Sequence, residues 1–229
     1  MTFVVPAFAF AANTGGVNND AARVTFMKTK ADQEITRRID SLNTLTTRVG
    51  EMKRLSEQDK ASITSLAGGN VTDLNTLKTK IDADTDLETL KTDRQSITKS
   101  YRVYMLVIPK GHILAAADRI LETTTLMNTV VTKLEARIGT AQTGGKDVAQ
   151  LSTSLTDMKA KIADAVTQAN NAKTAVTSLV PDQGVQTQID SNKTALNSAR
   201  TMIKNGITDL KTARTDAETI RVNLKAMGF

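Results

Sequence analysis

The sequence predicts an all-α protein, an elongated antiparallel helical bundle built from coiled-coil hairpins. Apolar residues recur at alternating steps of three and four over long stretches, and only three prolines and 12 glycines interrupt 229 residues. Such a 3.5-residue repeat keeps one face of a helix against a partner helix. Aromatic residues make up only 3% of the chain. A core with so few rings must be thin, as it is between closely packed helices.

The most regular repeat lies in residues 144–229, which we predict to be an antiparallel helical hairpin. Its first helix carries the repeat from Val148 to Leu179, and its second carries it from Ile189 to Met227. Between them, Pro181 within "VPDQG" ends a helix, and helices joined by a short connection pack antiparallel. Asn192 is the polar exception in the second repeat. We expect it at the solvent-exposed end of the helix contact, with a buried, register-fixing amide as the alternative.

Residues 20–143 are predicted to form a first helical hairpin region with three breaks. A long helix runs from about Asp20 to Leu66 and ends near 67–70, at "AGGN". The second break falls near 84–86, where Thr85 and Glu88 match a capping box. The third falls near 109, at Pro109.

The N-terminus predicts export. Residues 1–11, with the apolar run "FVVPAFAFA" and an Ala-x-Ala pattern, resemble the latter part of a signal peptide, although no basic residue precedes Arg23. We interpret 1–11 as a truncated signal-peptide remnant and 12–19 as a flexible segment, with a merely apolar tail as the alternative. The expected location is periplasmic, cell-surface or secreted.

Composition argues against several functions. Cysteine is absent and His112 is the only histidine, which rules out thiolate chemistry and a multi-histidine metal site within one chain. The 30 basic and 24 acidic residues interleave, whereas nucleic-acid binding requires a clustered basic face. No phosphate-binding glycine motif is present. We therefore expect no enzyme, no cofactor, no nucleic-acid partner and no small-molecule substrate.

One segment matches part of a calcium loop. Asp82, Asp84 and Asp86 occupy alternate positions, and Asp93 falls at the twelfth position of an EF-hand pattern. Leu87 stands where the loop requires glycine, and Asp93 is shorter than the usual glutamate. The alternative is that these carboxylates surround a helix start, where they complement the helix dipole.

The stretch "YRVYMLVIPKGHILAAADRI", residues 101–120, concentrates the unusual residues of the chain, including both tyrosines. It permits three interpretations: a buried crossover kinked at Pro109, an exposed apolar tip with a turn at "IPKG", or a membrane span, which its charges oppose. If this stretch is exposed, seven of its residues are candidates for contact with a partner or membrane: Tyr101, Tyr104, Leu106, Ile108, Lys110, His112 and Ile113.

Residues 77–120, "LKTKIDADTDLETLKTDRQSITKSYRVYMLVIPKGHILAAADRI", resemble a segment of uncharacterised exported helical proteins from ultrasmall bacteria with reduced genomes. The resemblance implies export and an all-helical fold. It rests on no catalytic motif and transfers no functional residue.

Together these observations predict an exported, non-enzymatic structural or interaction protein of the cell envelope or surface, a helical spacer or adhesin-like module. Its helix faces would bind another protein or a second copy of the chain. The alternative is a membrane-active helical protein that uses residues 104–117 as an apolar tongue at a membrane surface.

Overall fold

The computed structural model describes residues 15–53 and 55–229, and over these ranges the predicted all-α fold is confirmed. The α-helices are α1 (Gly15–Glu51), α2 (Glu57–Ala83), α3 (Leu87–Lys99), α4 (Ile108–Thr143), α5 (Ala149–Thr177) and α6 (Gln186–Ala226). A π-helical turn, Val103–Val107, leads directly into α4. The proposed signal remnant, 1–11, lies outside the described residues. Of the predicted flexible segment 12–19, residues 15–19 are helical.

The helices form two bundles that meet at one junction. Helices α1, α2 and α3 enclose one core, which includes Ile35, Leu74 and Leu90. Helices α4, α5 and α6 enclose a second. A separate cluster joins the end of α1 and the start of α2 to α4, α5 and α6. The two bundles therefore overlap at their ends, which produces an elongated molecule.

The predicted C-terminal hairpin is present, and α4 completes it as a third helix. Helices α5 and α6 share the most extensive contact in the described chain. The predicted repeat positions of α5 are buried from Val148 to Val176. Because α5 is antiparallel to both neighbours, α4 and α6 run in the same direction. The grouping of α4 with the N-terminal region was therefore wrong, since α4 packs mainly on α5 and α6.

The break predicted near 67–70 was also wrong. Helix α2 runs through it, because Ala67 and Leu74 pack on the core while Gly68 and Gly69 face open space. The chain turns earlier, between Glu51 and Glu57, so that α1 and α2 are antiparallel neighbours. Ser56 marks the restart, since its Oγ accepts a hydrogen bond from the Asp59 amide at 3.2 Å.

The break near 84–86 is confirmed, but its cap differs by one residue. Asp86, rather than Thr85, caps α3, and its carboxylate accepts the Thr89 amide at 2.7 Å. The short Asp side chain at the N-cap satisfies a free N–H and complements the helix dipole.

Pro109 does not break the chain. It lies in the first turn of α4, where a missing N–H costs little. The break comes at Arg102, whose φ of 44° is left-handed. The π-helical turn then re-enters regular helix with the Ile108 amide bonded to the Val103 carbonyl.

Asn192 is buried, which contradicts the expected solvent-exposed position. Its Nδ2 donates to the Val180 carbonyl at 2.9 Å, and its Oδ1 accepts from Gln188 at 3.0 Å. The amide thus ties the start of α6 to the connection that follows α5.

Candidate functional site

The unusual stretch 101–120 forms the crossover between the two bundles. Most of its apolar side chains are buried, as the buried interpretation expects, but Tyr104 and Met105 are exposed and the irregular backbone lies at Arg102 rather than Pro109. Val103 and Val107 belong to the core of the first bundle, while Leu106 and Ile113 belong to the junction cluster. Leu106 is 3% exposed and Ile113 is 4% exposed. These apolar side chains are therefore buried in contacts within and between the bundles.

The two tyrosines of the crossover bind the first bundle. The Tyr104 hydroxyl donates to the Arg37 carbonyl at 3.1 Å, although its side chain remains half exposed. Tyr101 donates to the Asp73 carbonyl at 3.4 Å. Among the other predicted contact residues, Ile108 and Lys110 are half-buried and His112 is exposed.

Two cations of the crossover fasten the connection between α5 and α6. Arg102 binds the Asp182 carboxylate through Nε and a terminal nitrogen, each at 2.7 Å. Lys110 donates to the Thr177 carbonyl at 2.7 Å, at the end of α5. Burial alone would raise the pKa of Asp182, but hydrogen bonds from Arg102 and the Gly184 amide outweigh it and lower that pKa. Burial lowers the pKa of Lys110.

An ion triad of two buried carboxylates and a half-buried lysine links three helices at the junction. Lys173 of α5 binds Asp59 of α2 and, at 2.8 Å, Asp118 of α4. The Ser56 amide donates to the second oxygen of Asp118 at 2.9 Å. Burial alone would raise the pKa of Asp118, but hydrogen bonds with Asp59, Lys173 and Ser56 lower it to about 2. Burial opposes the charge of Lys173, yet its hydrogen bonds to Asp118 and Asp59 raise its pKa.

Beside the junction lies an open groove of about 940 Å³. Its floor is apolar and comes from α4, from α6 and from the connection between α1 and α2; the apolar lining residues are Met52, Leu55, Ala115, Ala116, Ile120, Met127, Ile207 and Leu210. The volume falls within the range typical of ligand sites, about 300–1,000 Å³. Its openness to solvent suits an elongated occupant.

The rim of the groove is cationic. Lys53, Arg119, Lys211 and Arg214 line it together with His112, and none of its described lining residues is acidic. Over residues 15–53 and 55–229, no ion pair engages these four cations. The groove therefore combines an apolar floor with four cations that form no ion pair within the described chain, although Arg214 interacts electrostatically with Glu218 one turn further along α6.

The calcium candidates do not converge on one site. Asp86 caps α3, Asp93 pairs with Lys80 at 2.7 Å, and Asp84 ends α2. No group of three or more His, Cys, Asp or Glu side chains in the described ranges could hold a metal ion. The alternative interpretation, carboxylates around a helix start, fits Asp86 best.

Sequence reasoning found only His112 of the groove. The other lining residues come from three segments distant in the chain. They meet because α4 packs with both α6 and α1. The nearest sequence signal was the pair Lys211 and Arg214, which share a helix face with Ile207.

No protein-family model, curated protein or solved structure matches the chain. Across the described helices, none is both long and apolar enough to cross a membrane.

Proposed function

We propose that this protein is an exported, non-enzymatic interaction protein of the cell envelope or surface, in which two helical bundles form one rigid spacer. The observation that carries the proposal is the junction. Ion pairs to buried carboxylates connect the elements that meet there: Asp59 with Lys173, and Asp182 with Arg102. Burying a charge is costly unless it is paired in a fixed geometry. These contacts therefore favour a fixed arrangement of the two bundles over a flexible tether.

The same junction argues against the membrane-active alternative. A tongue at residues 104–117 would have to release Leu106, Val107, Ile113 and Leu114, all buried, before it could reach a membrane. Release would also break the Lys110 bonds to the end of α5. The apolar area and the fixed hydrogen bonds together make this stretch a structural connector.

Small-angle X-ray scattering tests the rigid spacer. Helix α6 alone, with 41 residues, is about 60 Å long at ~1.5 Å per residue. The wild-type protein should therefore scatter as one rigid particle longer than this, and Lys173→Met should broaden its distance distribution. A wild-type profile typical of two bundles that move independently would contradict the proposal.

Export needs a separate measurement. In fractionated cells of the source organism, the protein should be recovered with the envelope or the medium. Recovery with a cytoplasmic marker would contradict the proposed localisation. The spacer proposal would then still be decided by the scattering experiment.

A further inference from the structure

We propose that the groove between α4 and α6 is a docking site for an acidic amphipathic helix of a partner protein. The inference extends the proposed function, since it names the surface through which the spacer would hold a partner.

The first argument is the spacing of the lining residues. On α4 the groove is lined at Ala116, Ile120, Thr123 and Met127, with steps of four, three and four. On α6 it is lined at positions 207, 210 and 214, with steps of three and four. Two parallel helices that offer such steps side by side present the holes into which the side chains of a third helix fit.

The second argument is continuity with an interface that already exists. Nearer the junction, Leu45, Val49 and Leu55 share one buried apolar cluster with residues of α4 and α6, among them Ile113 and Leu196. The groove begins where Met52 and Leu55 end this cover. A docked helix would continue the packing that the first bundle starts.

The third argument is charge. Arg119 stands on the α4 side of the groove, and Lys211 and Arg214 stand on the α6 side. A helix whose apolar stripe is flanked by glutamates on both edges would meet cations on both sides. A second copy of this chain is a poorer match, because its net charge is +6.

Titration calorimetry with designed peptides tests the proposal. The probe is a helical peptide of about three heptads with Leu at the a and d positions and Glu at the e and g positions. We expect one peptide to bind per chain, with affinity that falls as salt rises. The same peptide with Lys in place of Glu should bind at least about tenfold more weakly.

Charge reversal supplies the matched comparison. The double variant Lys211→Glu and Arg214→Glu should lose about tenfold in affinity for the Glu peptide and gain affinity for the Lys peptide. Lys91→Glu with Arg94→Glu is the control, since it has the same residue types, spacing and charge change on α3 of the other bundle. The control should bind as wild type. Ala116→Trp should block the groove, and circular dichroism should show that each variant stays folded.

Three results would overturn the proposal. The first is that the Glu peptide does not bind, or that its affinity is the same in the charge-reversal variant and in Ala116→Trp as in the wild type. The second is that neither peptide binds but dodecyl phosphate does, and that this binding depends on Lys211 and Arg214. That result would make the groove a site for an anionic amphiphile. The last is a concentration-dependent dimer that Ala116→Trp abolishes, which would make the occupant a second copy. Scattering reports rigidity and titration reports occupancy of the groove, so the two proposals fail separately.

Discussion

The C-terminal hairpin and the junction are held together by different chemistry. Along α5 and α6, most buried residues are apolar or small, as at Met158, Ala165 and Ala213, and Asn192 is a polar exception. At the junction, Asp59, Asp118 and Asp182 are buried and bind cations from other elements. The hairpin is stabilised mainly by an apolar repeat along two neighbouring helices. The junction has an apolar cluster as well, but adds single charged contacts between distant segments.

The difference has a physical consequence for how each region fails. Apolar packing between helices changes little with pH and tolerates substitutions that conserve volume. Removing one partner of a buried ion pair lowers the free energy of unfolding, because the other charge stays poorly solvated and unpaired. The junction should therefore be the sensitive region and the hairpin the tolerant one.

The largest effect is expected for Lys173→Met. The change leaves Asp59 and Asp118 close together without their shared cation, and the free energy of unfolding should fall by about 3 kcal/mol. For a chain of this size the melting temperature should drop by about 6–12 °C. Lys159→Met, on the same helix, removes a half-exposed pair with Glu135 and should cost under ~1 kcal/mol. Equal losses in the two variants would refute the contrast.

Arg102→Met should follow, with a loss of about 2 kcal/mol from the two hydrogen bonds to Asp182. Hydrogen exchange should rise in residues 178–185, since Arg102 holds this connection in place. Arg221→Met is the control, because its pair with Glu218 is exposed. Unchanged exchange in 178–185 would show that the clamp does not hold the connection.

The dependence on pH should be concentrated at the junction. Asp118 has a folded pKa of about 2, below the ordinary value of 3.8. A lowered pKa contributes stability above the unfolded value, which is lost as pH falls through the folded one. Stability should therefore decline between about pH 4 and pH 2. Asp118→Asn should flatten this decline in an acid titration of the melting temperature, and an equally steep decline would contradict the assignment.

The smallest effect is expected for Gly206→Ala in the hairpin. The new Cβ would lie 3.2 Å from Ile120 Cδ1, the end of a flexible side chain. Higher helix propensity offsets this tight contact, so stability should change by less than ~0.5 kcal/mol. Gly139→Ala in α4 faces open space and should stabilise by about 0.5–1 kcal/mol. A strongly destabilised Gly206→Ala would mean that the hairpin is less tolerant than we infer.

Local patterns predicted what depends on neighbouring residues. The repeats in α5 and α6 specified a buried face, so their pairing and direction followed from the sequence. The end of α1 at Glu51 and the start of α2 at Glu57 were missed, because Gly68 and Gly69 were a stronger breaker signal than Ser56. Those glycines remain helical since Ala67 and Leu74 pack on α1, a tertiary effect that propensity does not contain.

The candidate site was much harder to predict. The ion triad joins residues 59, 118 and 173, and the groove joins residues near 53, 119 and 211. Such constellations depend on which helices become neighbours, and α4 was assigned to the wrong group. The crossover was recognisable in the sequence by its unusual residues. The structure explains them, since both tyrosines, Arg102 and Lys110 have hydrogen-bond partners outside their own helix.

Hydrogen–deuterium exchange across residues 101–117, with and without liposomes, tests the central claim most directly. If this stretch is the buried connector of a rigid spacer, its amides should be strongly protected without lipid, and liposomes should leave them unchanged. Fast exchange that slows only when lipid is added would contradict the account and support a membrane-seeking tongue instead.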